Sequence, residues 1–269
     1  MKFAALLLAA GCTCAQTSPS FEVASIRPSN SEDRRPLINM QPSGRFVARN
    51  ATVKRLITVA YRIKHFQISG GPKWIDTDFF DIQATPTGPL AKADQFQAML
   101  QALLAERFHL VIRRETREMP IYALVAAKGR PKLTEASDSD PAIIEIPGLP
   151  EGAPRRPPIT RIRRGLLIAQ GIEMAAFVDT LSNFLGRAVL NRTGLTGRYD
   201  VKLQWTTDEN QVAMFEAMGV PDGFGAPPAD PLGPSLFTAL QEQLGLRLEA
   251  QKGSVEMLVI ERVEKPSEN

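Results

Sequence analysis

The sequence predicts an α+β fold of two similar units in tandem, each with two helices packed on a small antiparallel-rich sheet. Three observations carry that expectation. Short alternating apolar runs closed by glycine or proline recur along the chain and read as strands. Between them lie stretches with apolar residues at three- and four-residue spacing, the period of an amphipathic helix. An apolar set also recurs at a fixed distance: Leu100, Leu104, Phe108, Leu110 and Ile112 reappear 136 positions on as Leu236, Leu240, Leu244, Leu246 and Leu248. FFDI at 79–82 maps to RYDV at 198–201 by a spacing of 119. The competing explanation is that any two units of one helix and two strands give such matches.

Residues 1–15 read as a signal peptide. Lys2 supplies the charge, Phe3 to Ala10 the apolar run, and small residues follow. The run is far short of the ~20 apolar residues that span a bilayer, so no transmembrane span is expected. Thr13-Cys14-Ala15 offers small residues for cleavage before Gln16. Alternatively, Ala9-Ala10-Gly11-Cys12 resembles a lipoprotein box that would leave a lipid anchor on Cys12. Simple cleavage is preferred, because alanine at the first position of that box is atypical. The expected location is secreted or periplasmic.

The first unit, 16–129, opens with the strand FEVASIRP, stopped by its proline. GRFVAR is a short strand, and Asn50 is expected to cap a helix that buries Val53, Leu56, Ile57, Ala60 and Tyr61. HFQISGGP and FFDIQATP read as strands. Asp94 caps a second helix carrying Phe96, Met99, Leu100, Leu103 and Leu104. HLVIRRETREMPIYALVAA then reads as two strands around the charged stretch RETREMP. Residues 130–164 form a proline- and arginine-rich linker with a charge split. SDSDPAIIEIPGLPE is acidic, whereas RRPPITRIRR holds five arginines in ten residues. Such a cluster can meet phosphate, lipid headgroups or acidic glycan; a solvated hairpin with two mutually attracting sides is the plainer alternative.

The second unit, 165–269, repeats the order. Glu173 to Leu185 is a helix, AVLNRTGLTGRYDVKLQW gives two strands around Gly194 and Gly197, and Leu236 to Leu244 is a helix. LRLEA and VEMLVIERV are expected to close the unit as a hairpin. A Gly/Pro-rich insertion at about 206–234 is expected as a long loop.

Composition narrows function. Hydrophobic residues at 43% and charged residues at 23% are globular values. Proline, 21 of 269 residues, is enriched over the usual ~5% and belongs in loops. A net charge of +3 is too mild for nucleic-acid binding on charge alone. Both cysteines, Cys12 and Cys14, fall in the leader, so a mature chain from Gln16 has no thiol chemistry. His65 and His109 are too few for a histidine metal site, and no metal or cofactor is expected.

No convergent acid, base and nucleophile set emerges, so no catalytic residue is assigned, and a hydrolase with a non-standard site stands as the alternative to a binding protein. Asp76, Asp78 and Asp81 lie beside Trp74 in WIDTDFFDI, and three carboxylates there can in principle hold a hard cation. Asp76 and Asp78 can share a face, but Asp81 follows two bulky residues and no glycine shapes a ligand loop, so turn caps and solvated charges are the default. Asp81 and Asp200 occupy equivalent positions beside Phe80 and Tyr199, which argues for a structural bond to a nearby backbone N–H. Glu115 is expected to pair across a hairpin with Arg113 or Arg117. NRTGLTGRYD lacks the lysine of a phosphate loop. Ser235 lacks elbow glycines and is the expected N-cap of its helix. Trp74, Tyr61 and Phe66 either line a groove or pack in the core. The partner-binding candidates are therefore Trp74, Asp76 and Asp78, facing an envelope protein or peptide at exposed sheet edges.

FEVASIRP, ATVKRLITVAYRI, GGPKWIDTDFFDI, LLAERFHL, ETREMPIYAL, LNRTGLTGRYD, SLFTALQEQLGLRLE and VIERVEKPSEN together resemble an uncharacterised family of secreted proteins from Solibacter-type soil acidobacteria. The resemblance spans residue 21 to the C-terminus. Arg113 and Asn191 depart from the histidine and aspartate frequent there. Each half also resembles the short N-terminal domain of secretins and TonB-dependent transporters, carried by Leu100 to Leu110 and Leu236 to Leu246. A further likeness is to the extracellular parts of membrane-bound zinc peptidase sensors. These resemblances imply docking, binding or sensing and bring no chemistry.

Overall fold

A computed structural model describes residues 20–30, 36–41, 44–87, 93–129, 131–136, 159–217 and 233–266. The fold is mixed α+β. In the first half the strands are β1 (Phe21–Pro28), β2 (Leu37–Met40), β3 (Phe46–Thr52), β4 (Ile68–Gly70), β5 (Phe79–Pro86) and β6 (Val111–Ala126). Its helices are α1 (Val53–Tyr61), the single turn α2 (Trp74–Thr77) and α3 (Ala93–Arg107). The second half holds β7 (Thr134–Glu135), β8 (Ile159–Arg163), β9 (Leu166–Glu173), α4 (Met174–Leu185), β10 (Val189–Asn191), β11 (Arg198–Gln204), α5 (Glu209–Ala217), α6 (Leu236–Leu244) and β12 (Leu246–Arg262).

Three four-stranded sheets result. One lateral sheet has the order β1-β5-β3-β2, the other β7-β11-β9-β8, and each is antiparallel. The central sheet, β10-β6-β12-β4, takes strands from both halves. Its middle is one antiparallel pairing that runs from Val111 with Arg262 to Ala126 with Leu246. Its flanks are the parallel pairs β10 with β6 and β4 with β12.

Two expectations are corrected here. Residues 111–126 and 246–262 are not hairpins; each is one continuous strand, and the two pair with each other. The polar midsections RETREMP and AQKGS look like turns because their side chains are exposed. Their exposure arises because the ribbon bridges two separate cores. At one end Leu258 and Ile260 enter a core with α1, α3 and the first lateral sheet. At the other, Leu124 and Leu246 enter a second core with α4, α6 and the second lateral sheet. Gly253 lies within the ribbon opposite Met119, and an added Cβ there would press on the Ile121 side chain.

Asn50 does not cap α1. The cap is Thr52, whose hydroxyl accepts from Arg55 N–H at 3.3 Å, while Asn50 sits at φ 50° in a β-bulge. The side chain of Asp94 lies outside the described residues. Ser235 caps α6 as expected, accepting from Thr238 N–H at 3.2 Å. The Gly/Pro-rich insertion is not loop throughout, because α5 occupies its start. Asp208 Oδ1 accepts from Gln211 N–H at 2.8 Å, and buried Gln211 in turn accepts from the Trp205 indole at 3.0 Å. Phe215 then packs on Phe184 and Trp205. Residues 137–158 of the linker lie outside the described set. The described segments on either side of them, β7 and β8, are the two opposite edges of one sheet.

Candidate functional site

The corner around Trp74 is built by a glycine–proline break. Gly70 ends β4 at φ 79°, where an added Cβ would stand 2.8 Å from the Ile260 carbonyl oxygen. Only glycine permits that approach of β4 to β12. Pro72 then starts the single turn α2, in which Asp78 N–H donates to the Trp74 carbonyl at 2.9 Å. Ile75 points into the first core, 2% exposed. Trp74 is half-buried against the same core and meets Phe80 edge-on, with ring centroids 6.3 Å apart. Lys265 lies over the indole at 5.8 Å, a cation–π arrangement.

Each carboxylate at this corner already holds a cation. Asp76 accepts from Lys54 Nζ at 3.0 Å, and its other oxygen lies 3.4 Å from His65 Nε2. Asp78 accepts from Lys265 Nζ at 2.7 Å and from Thr77 Oγ1 at 3.1 Å. The bond from Lys265 holds the Asp78 carboxyl below the usual carboxylate range. Partial burial, reinforced by the neighbouring Lys54 charge, holds His65 below its ordinary value against the pull of Asp76. Trp74, Asp76 and Asp78 therefore do come together, with Lys54, His65 and Lys265 as partners that linear reading did not foresee. Lys265 is far away in the chain and reaches the corner only because β12 pairs with β4.

Asp81 is not part of that cluster. Its Oδ1 accepts from the Asn50 N–H at 2.8 Å, and Asp200 Oδ1 accepts from the Gly171 N–H at 2.8 Å. Asn50 and Gly171 have φ of 50° and 65°, and each lies at an irregularity in strand pairing. A bulge takes a backbone N–H out of the ladder, and the aspartate supplies its acceptor. Glu115 pairs with Arg113 and Arg117 along one strand rather than across a hairpin, because all three point to one face of β6. Phe66 packs against the small Ile121–Val255–Met257 cluster and so does not join Trp74, whereas Tyr61 packs against the same first core as Trp74.

No helix among the described residues is long and apolar enough to cross a membrane. A family model described as "Protein of unknown function (DUF3738)" matches residues 54–263. No curated protein and no solved structure matches the chain.

Proposed function

The chain belongs to the DUF3738 family, whose description carries no activity, and we propose from its own residues that it is a non-enzymatic exported envelope protein that binds a partner. One observation supports this best: the carboxylates of the Trp74 corner are neutralised by Lys54 and Lys265, which leaves an aromatic, charge-balanced surface instead of an acid–base pair. The lateral sheets end in short strands, such as β2 with Leu37 46% exposed. An edge strand's outward N–H and C=O groups can accept an extended peptide, and neighbouring side chains then select it. Export follows from the leader at 1–15, with lipidation at Cys12 as the alternative.

We also propose that the halves are copies of one unit related to the secretin and TonB short N-terminal domains. Matching lateral strand orders, the matched Asp81 and Asp200 bonds and the recurring leucines support that reading.

The test pairs Trp74→Ala with Trp74→Phe and measures thermal unfolding and capture from an envelope extract. Trp74→Ala is expected to lower stability by about 2 kcal/mol, less than a fully buried tryptophan would cost, and to weaken capture. Trp74→Phe should recover most of the stability but not the capture. Capture that follows stability alone would reject a binding role for this corner.

A further inference from the structure

We propose that the outer face of the β7-β11-β9-β8 sheet docks on an anionic phospholipid membrane surface. The inward side of this sheet is fixed by burial: Leu167, Ala169, Val201 and Leu203 belong to the second core, and Ile162 packs against it. Because strand side chains alternate, Arg161, Arg163, Leu166, Ile168 and Lys202 face the other way.

The register arranges them. Arg161 and Lys202 both neighbour Ile168, on opposite sides, and Leu166 flanks Arg163 in the next row. Strand spacing then puts Arg161 and Lys202 roughly 10 Å apart across the sheet, and Arg161 and Arg163 roughly 7 Å apart along it. Among the described residues no carboxylate lies within 4.0 Å of any of the three, whereas Arg113, Arg114, Arg117, Arg247 and Arg262 each sit against a glutamate. Asp200 shares the face, but its carboxylate accepts from Gly171 N–H.

Positive charge spread in two directions over a flat sheet fits a planar array of phosphates better than a single linear polymer. Half-buried Leu166 and Ile168 between the cations suit the boundary between headgroups and acyl chains. Near such a surface each basic side chain adds attraction that falls off within a Debye length. This inference is independent of the partner reading above, since it uses neither the Trp74 corner nor a strand edge.

The test is co-sedimentation of the chain from Gln16 onward with vesicles of phosphatidylglycerol and phosphatidylcholine, against phosphatidylcholine alone, at low and high salt. Binding is expected to the anionic vesicles only and to fade with salt. R161Q/R163Q/K202Q, checked for unchanged thermal unfolding, should bind about a hundredfold more weakly. A charge-matched R27Q/R45Q/R49Q variant on the other lateral sheet should retain most binding. Equal loss in both variants, equal binding to neutral vesicles, or no binding at all would overturn the proposal. So would binding to soluble polyglutamate without binding to vesicles, which would mark an acidic protein as the partner.

Discussion

Asp81 and Asp200 each satisfy one backbone N–H that a bulge removes from its ladder. Truncation to alanine strands that donor in a partly buried position, at a cost of roughly 1–3 kcal/mol. Asp81→Ala and Asp200→Ala are therefore expected to lower unfolding free energy by comparable amounts, measured by urea titration. Glycine at position 50 adopts the positive φ without strain, so any stability that Asn50→Gly loses in the same titration measures the buried Asn50 side chain. His65 gives a second residue-scale expectation. Its pKa is depressed in the folded state, so the stability linked to it is present above its unfolded value of about 6.5 and is lost as pH falls through the folded value. Because the ring is 61% exposed, the effect is small. Unfolding midpoints of His65→Gln should therefore decline less than those of the parent just below pH ~6.5. The paired carboxylates Asp78, Glu115 and Glu264 are also depressed, so their contribution is present above the ordinary carboxylate range and is lost as pH falls through that range toward their folded values.

At the scale of elements, what was legible in the sequence is what depends on local pattern. The strand FFDIQATP, the helix Leu236–Leu244 and its Ser235 cap follow from period and capping chemistry alone. The long strands β6 and β12 were not legible as strands throughout. Alternation signals burial, and over Arg113–Glu118 and Glu249–Lys252 the side chains are largely exposed, the small Ile121–Val255–Met257 cluster being the one buried patch of the ribbon's middle among the described residues. Likewise the partners of Asp76 and Asp78 come from other elements, and Lys265 reaches Asp78 only through the pairing of β12 beside β4. The cations of β8 are visible as an arginine run, but that Arg161 and Arg163 share the outer face of the sheet follows only from the register with β9. The β6–β12 pairing also makes each half incomplete. Residues 16–129 made alone are expected to stay largely unfolded, since β6 would lose its antiparallel neighbour and leave its backbone groups unpaired. Mixing with 130–269 should restore cooperative unfolding followed by circular dichroism; a half that unfolds cooperatively by itself would contradict the shared sheet.

For the whole molecule, two cores are held by one shared central sheet, while the lateral sheets each bury one face in a core and end in edge strands. The distribution of charge agrees with that division. Cations of the ribbon are met internally by Glu115, Glu256 and Glu261, whereas Arg161, Arg163 and Lys202 have no carboxylate within 4.0 Å among the described residues. Partner binding at the periphery is the central claim, and backbone hydrogen exchange tests it most directly. The chain would be compared alone and with the fraction it captures from envelope extract. Added protection is expected at Leu37–Met40 and across residues 70–78, with the β6–β12 ribbon unchanged. Protection confined to the ribbon, or none at either peripheral site, would contradict it.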